Sequence, residues 1–172
     1  MRMASPALRR AYLELCYRPI SARQIASATR LVGEIFGESI GEADATSRVT
    51  LAVHEILENL AKYAAEEAPS LCIELSEDGD AGRIEIRTRN RASLERLAQT
   101  EQLLDSLIRA ADPCETYREL MEQTAAQAEG SGLGLARIRA EAELQFAFEI
   151  RADSLEITAF GRVPLQPRRH GS

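Results

Sequence analysis

Three alternating glycines late in the chain constrain the fold more than any other sequence feature. Alternating glycines let a backbone adopt positive φ and bring its N–H groups close to an anion. A helical pattern follows at once, and a helix N-terminus adds partial positive charge. The segment predicts a phosphate-binding turn, whereas standing alone it would also suit a flexible hinge. Its residues are Gly130, Ser131, Gly132, Leu133, Gly134 and Leu135.

A helix predicted over residues 44–64 carries a line of polar side chains beside its buried face. Glu55, Asn59 and Lys62 fall at i, i+4 and i+7, so they lie along one flank of the helix. An amide oxygen can ligate a hard cation, an ammonium can meet a phosphate, and a carboxylate can orient or deprotonate a nucleophile. The line suits a magnesium–triphosphate group. A solvated helix face with a Glu58–Lys62 ion pair is the alternative.

Together the two segments resemble the N box and the second glycine box of the GHKL superfamily, whose members share the Bergerat ATP-binding fold. Glu55, Asn59 and Lys62 match E-x-x-x-N with a basic residue three positions later, and residues 130–135 match G-x-G-L-G-L. The resemblance covers about residues 20–162. It implies an α+β two-layer sandwich with a mixed β-sheet and helices on one face.

The same resemblance implies ATP and Mg²⁺ as cofactors and assigns roles to the matched residues. Asn59 would hold the metal, and Glu55 would be the catalytic general base. Lys62 and the glycine box, from Gly130 to Leu135, would bind the phosphates. Further positive charge near them could come from Arg91, Arg137 and Arg139.

One expected motif of the superfamily is missing. The D-x-G-x-G box, whose aspartate reads the adenine amino group, has its only similar letters at residues 78–82. These letters fall between two strand-like runs, 71–75 and 83–88, and therefore predict a hairpin loop. Asn90 occupies the position of the aspartate. Its amide can accept from the adenine amino group and donate to a ring nitrogen, so we expect Asn90 to replace the acid.

A narrower resemblance is to SiaB-type kinases, stand-alone bacterial GHKL proteins that phosphorylate a small partner in partner-switching pathways. It rests on Asn90 after a strand, the amphipathic run 94–108, the Tyr-Arg-Glu-Leu sequence at 117–120 and the glycine box. The implied function is a protein serine/threonine kinase acting on a small STAS-like or SiaC-like protein. A catalytically weak ATP-gated binding module, sequestering a partner as anti-sigma factors do, is the alternative.

Composition bounds these interpretations. The chain has 172 residues, of which 45% are hydrophobic, enough for one domain with a core. A net charge of −6 disfavours nucleic-acid binding. Three widely spaced cysteines indicate free thiols, and no apolar run approaches the roughly 20 residues that span a bilayer. We therefore expect a cytoplasmic protein without membrane insertion.

The pattern along the chain predicts the element order β-α-α-β-β-α-α-α-β-β, with a leader over 1–11, the kinase domain over 12–163 and a flexible tail over 164–172. An edge strand at 12–17 could form a homodimer. Ser21 and Gln24 predict a capping box, and Asp112 with Pro113 a second helix start. Helix 92–110 precedes a lid over 109–130, and the last strands are 144–152 and 154–163.

Overall fold

A computed structural model describes residues 9–16, 21–63, 70–125 and 132–167. Its elements follow the predicted order. The strand β1 begins at Arg9, three residues before its predicted start and within the stretch assigned to a leader. The elements are β1 Arg9–Cys16, α1 Ala22–Gly37, α2 Ala43–Tyr63, β2 Ser70–Asp78, β3 Ala81–Arg91, α3 Leu94–Arg109, α4 Pro113–Ala125, α5 Leu133–Ala140, β4 Gln145–Arg151 and β5 Ser154–Val163.

The five strands form a single sheet in the order β1-β2-β3-β5-β4. All four pairings are antiparallel, so the prediction of a mixed sheet is wrong for the described strands. The reason lies in the position of β5. The chain returns from α5 along β4 in the same direction as β3, but at the outer edge, and β5 then runs back between the two. The predicted edge position of β1 is confirmed.

Helices cover one face of this sheet. Every second residue of β2 and β3 is buried, including Leu71, Ile73, Ile84 and Ile86, and these side chains join one core with residues of α1, α2, α3 and α5. The opposite face carries charged side chains such as Glu85, whose carboxylate meets two arginines of the same strand. This alternation is that of a sheet with one wet face, and the α+β two-layer sandwich is confirmed.

Two helices begin where the sequence predicts. The Ser21 backbone N–H donates to Gln24 Oε1 at 2.8 Å, and the Ser21 hydroxyl accepts from the Gln24 backbone, which completes the capping box of α1. Asp112 accepts from the backbone N–H groups of Cys114 and Glu115 at 2.9 and 3.0 Å, and so caps α4. Within the described ranges, no helix is both long enough and apolar enough to span a membrane.

Residues 164–166 are attached to the domain, although the sequence places them in a flexible tail. Gly41 donates its backbone N–H to Pro164 at 2.8 Å, and Gln166 donates to Ser39 at 2.9 Å. These bonds fix the chain to the turn between α1 and α2. The residues after 167 lie outside the described part of the chain.

The hairpin between β2 and β3 has the predicted loop. Gly79 and Asp80 connect the two strands, and Gly79 adopts φ +69°, a conformation that favours glycine. Residues 78–82 therefore form the hairpin turn at the end of the sheet and are not the D-x-G-x-G motif. Asn90 lies near the other end of β3.

Candidate functional site

A cleft opens between the inner face of the sheet and the helices α2, α3 and α5. Its walls are mainly aliphatic: Ile56, Leu60, Leu103, Leu135, Leu155 and Ile157. Five polar side chains reach into it: Asn59, Thr88, Asn90, Arg96 and Thr100. An apolar cleft with a few convergent polar groups is the usual form of a small-molecule site.

Two cross-strand pairs form the bottom of this cleft. Thr88 lies opposite Ile157, and Asn90 lies opposite Leu155, in the antiparallel register of β3 and β5. We call these four residues the sheet floor. Side chains of a strand alternate between faces, so Asn90 follows Thr88 on the side that faces the helices. Asn90 is half-buried there, and within the described ranges no group hydrogen-bonds its side chain.

The helices α2 and α5 meet at the other end of the cleft. We call Glu55, Asn59, Gly134 and Arg137 the helix junction. A Cβ atom added to Gly134 would lie 2.7 Å from Glu55 Oε2 and 3.4 Å from Asn59 Nδ2. A larger residue at this position would displace the Glu55 carboxylate, so glycine lets the first turn of α5 lie against the two side chains in their present positions. Gly134 of the glycine segment therefore lies against Glu55 and Asn59 of α2, although the two segments are about eighty positions apart in sequence.

Asn59 carries the most informative polar atom of the junction. Its Nδ2 is buried, and it has no hydrogen-bond partner in the described part of the chain. Leaving such a group unpaired costs about 1–3 kcal/mol, so native structures rarely keep one without a reason. A half-turn of the amide would present its oxygen at the same place. The group is thus suited to a ligand or a metal ion that enters the cleft.

Gly132 places the start of α5. It is the N-cap residue, with φ +97°, and a Cβ atom there would collide with the side chain of Leu103. Leu133 is the first residue of α5, and Leu135 lines the cleft. The remaining two residues of the glycine box, Gly130 and Ser131, lie outside the described residues, so their predicted contacts stay predictions.

Glu55 forms an ion pair instead of facing the cleft directly. Arg137 Nη1 donates to Glu55 Oε1 at 2.9 Å, and Arg137 Nε donates to Glu141 Oε2 at 2.8 Å. The Glu55 side chain is 12% exposed. The hydrogen bond with Glu141 raises the pKa of Arg137; burial opposes this, and the bond with Glu55 adds to it. Arg137 therefore stays charged and holds the carboxylate in one orientation.

Tyr117 of α4 lies in the field of these charges. Burial raises the pKa of its hydroxyl, and the negative charges of Glu141 and Glu55 raise it further, while Arg137 acts against them. A neutral phenol is therefore favoured in the folded protein.

Four residues predicted to supply positive charge do not line the cleft. Lys62 is exposed in the last turn of α2, two helical turns beyond Glu55. Arg91 pairs with Asp153 at 3.4 Å, and Arg139 donates to the backbone carbonyls of Leu107 and Leu144. Arg137, the fourth of them, is committed to Glu55 and Glu141.

Sequence reasoning missed three polar residues of the cleft. Thr88 lies two positions before Asn90, so strand alternation could have found it. Arg96 and Thr100 are one turn apart on α3, where an i, i+4 pair of polar residues on an amphipathic helix was the available signal. Among the described residues that line the cleft, Arg96 is the one with a cationic side chain.

No protein-family model matches this sequence, and no curated protein does. Its fold is similar to that of a chain in the crystal structure of the SiaB–SiaC complex from Pseudomonas aeruginosa. The TM-score is 0.59 at 15% sequence identity, and the alignment covers 88% of this chain and 89% of that one. Likeness at this level of identity establishes the fold.

Proposed function

We propose that this chain is an ATP-dependent protein serine/threonine kinase of the GHKL type that acts in a bacterial partner-switching pathway. The observation that carries the proposal is the Asn59 Nδ2 atom, which is buried and has no hydrogen-bond partner among the described residues, at the point where Gly134 packs on α2. The sheet floor supports it, because an apolar surface with one amide suits a flat heteroaromatic base.

Several residues of the chain would each contribute to phosphoryl transfer, which depends mainly on positioning and charge neutralisation. Bound Mg²⁺ would neutralise charge on the triphosphate. Asn59 would offer it one amide oxygen, and the described residues include no cluster of three His, Cys, Asp or Glu side chains that could hold a metal without phosphate oxygens. The backbone N–H groups at the start of α5 would bind the phosphates. Glu55, oriented by Arg137, would accept the proton of the partner's hydroxyl.

The partner we propose is a small protein of the STAS-like or SiaC-like kind. Its support is the similarity of fold to a chain from a structure of the SiaB–SiaC complex, in which two proteins assemble. We further propose that the protein acts in the cytoplasm.

A second function has support of its own, namely a catalytically weak module that grips its partner when ATP is bound. Glu55 is ion-paired with Arg137 and does not line the cleft, and Asn90 stands where the superfamily has an aspartate. Under this function, nucleotide binding would strengthen the complex with the partner, and no phosphoryl group would reach the partner.

Isothermal titration with Mg·ATP tests the site that both functions share. We expect wild-type protein to bind ATP, and Asn59→Ala to weaken binding by at least about tenfold, through loss of a metal ligand. Glu58→Ala is the matched control, because Glu58 lies on the same helix and pairs with His54. Absence of ATP binding in the wild type, or equal binding by Asn59→Ala, would refute the site.

Transfer of labelled phosphate from ATP to a serine-bearing candidate partner separates the two functions. A protein that binds ATP, forms a complex with the partner and transfers no label would be the binding module. Transfer that disappears with Asn59→Ala and persists with Glu58→Ala supports the kinase.

A further inference from the structure

We infer that the cleft accepts 6-oxopurine nucleotides, such as inosine triphosphate, in addition to adenine nucleotides, and that Asn90 is the residue that gives this tolerance. This inference rests on the proposed nucleotide site and concerns which bases enter it. It follows from the polar groups that the sheet floor offers to the base.

The first support is the position of Asn90. It follows Thr88 on the inner face of β3 and lies opposite Leu155 of β5, so its amide reaches the bottom of the cleft between aliphatic walls. No hydrogen bond holds that amide in one orientation within the described part of the chain. Its oxygen and nitrogen can therefore exchange places by a half-turn.

The second support is the absence of a carboxylate. Among the described residues that line the cleft, none is Asp or Glu. The polar groups near the floor are the Asn90 amide and the Thr88 hydroxyl, and each can both donate and accept. The nearest acidic side chain of the helix junction, Glu55, is bound to Arg137 outside the lining.

The chemistry of the purine edge then decides specificity. Adenine presents an amino donor at position 6 and an acceptor at N1, whereas a 6-oxopurine presents an acceptor at position 6 and a donor at N1. An amide satisfies the first pattern in one orientation and the second after a half-turn. A carboxylate only accepts, so it would face the 6-oxo group with two acceptors in contact, an arrangement that binding sites reject strongly. Asn90 therefore removes the repulsion that would exclude 6-oxopurines.

Titration of the full chain with Mg·ATP and Mg·ITP tests the inference, because the two nucleotides share the triphosphate and differ at positions 6 and 1 of the base. We expect their dissociation constants to agree within about tenfold, or about 1.4 kcal/mol. In Asn90→Asp, the ratio of the ITP constant to the ATP constant should rise by at least about tenfold.

Two further variants serve as controls. Asn90→Ala removes the amide that would bond either base. It should therefore weaken the binding of both nucleotides and leave the ratio of their dissociation constants close to that of the wild type. Arg89→Ala changes an exposed side chain on the opposite face of β3 and should alter neither constant. Thermal unfolding of each variant shows whether it is folded, and the wild-type ratio stands by itself if Asn90→Asp is not.

The outcomes separate this inference from the proposed function. Binding of neither nucleotide would refute the nucleotide site and the inference with it. Tight binding of ATP with ITP more than about tenfold weaker would overturn the inference alone. Equal binding in the wild type with an unchanged ratio in Asn90→Asp would remove Asn90 from base recognition. Equal binding with restored discrimination in Asn90→Asp is the supporting result.

Discussion

The sheet floor forms the bottom of the cleft, and the helix junction borders the cleft at Asn59, yet the two regions differ in chemistry. The floor consists of Thr88, Asn90, Leu155 and Ile157, carries no charge and is placed by the register of two adjacent strands. The junction contains the Glu55–Arg137 ion pair and a close backbone approach at Gly134, between helices about eighty residues apart. The floor can therefore select a ligand by its shape and by neutral hydrogen bonds, while the junction supplies charged side chains.

Glu55→Ala should have the largest effect and should separate the two regions most clearly. Because the floor is untouched, we expect ATP binding to persist, while phosphoryl transfer to the partner falls by a factor of about 10² or more through loss of the general base. Titration with Mg·ATP and single-turnover transfer measure the two quantities.

Glu58→Ala is the control for this prediction, since it removes a carboxylate from the same helix three positions away. It should retain both binding and transfer. Full transfer by Glu55→Ala would take Glu55 out of the mechanism and leave the junction with a structural role.

Gly132→Ala should have the next largest effect, in this case on stability. Gly132 caps the start of α5 and lines the cleft between the floor and the junction. Alanine at φ +97° is strained, and its Cβ would displace Leu103, which lines the cleft. We expect the free energy of unfolding to fall by about 2–3 kcal/mol. Urea unfolding measures it.

The comparison variant is Gly79→Ala, in the hairpin loop. Gly79 also has a positive φ, +69°, but nothing lies within 4 Å of the position of its Cβ. Its substitution should cost only the backbone strain, about 1 kcal/mol. If both variants lose the same stability, the contact between Gly132 and Leu103 has no energetic role.

From sequence, Asn90 of the floor and all four residues of the junction could be named, whereas the contacts that assemble the junction could not be predicted. Strand alternation and a hairpin turn are local, so they place Asn90 once β3 is recognised. Glu55 and Asn59 were found from helical spacing and the family motif together. The ion pair between Arg137 and Glu55 was not predicted, although Arg137 was named as a source of positive charge, because contacts between α2 and α5 depend on the packing of the whole domain. The antiparallel order of β3, β5 and β4 depends on the same long-range packing.

Lys62 shows where helical spacing misleads. Position i+7 returns to the same flank of a helix, but about 10 Å further along its axis. The cleft at this end reaches as far as Asn59 and Leu60, and the side chain of Lys62 is exposed beyond it. Spacing predicts the face of a helix on which a residue lies, while the length of the site has to come from the structure.

Arg137→Gln should destabilise the fold by up to about 1 kcal/mol, because the carboxylate of Glu55, whose side chain is 12% exposed, loses its cation. The effect is small because the Arg137 side chain is 39% exposed, and solvent screens a pair of this kind. The loss should shrink at high salt. Arg151→Gln is the control: its ion pair with Glu149 is shorter, 2.7 Å against 2.9 Å, but its side chain is 77% exposed, and we expect no measurable change. Equal losses of stability in the two variants would mean that the lower exposure of the Glu55–Arg137 pair does not increase its contribution to stability.

Tyr117→Phe should have the smallest effect, and one visible only at alkaline pH. The pKa of Tyr117 is raised in the folded protein by burial and then by Glu141, so the folded state binds the phenolic proton more tightly than the unfolded chain does. The resulting stability is fully present below the unfolded value of about 10, and it is lost as the pH rises through the folded pKa. Wild type and variant should therefore differ little at pH 8. Between pH 10 and 11 the wild type should lose more stability than the variant does. Urea unfolding at these pH values measures the difference, and parallel curves for the two proteins would show that neither burial nor the charge of Glu141 raises the pKa of Tyr117 in the folded protein.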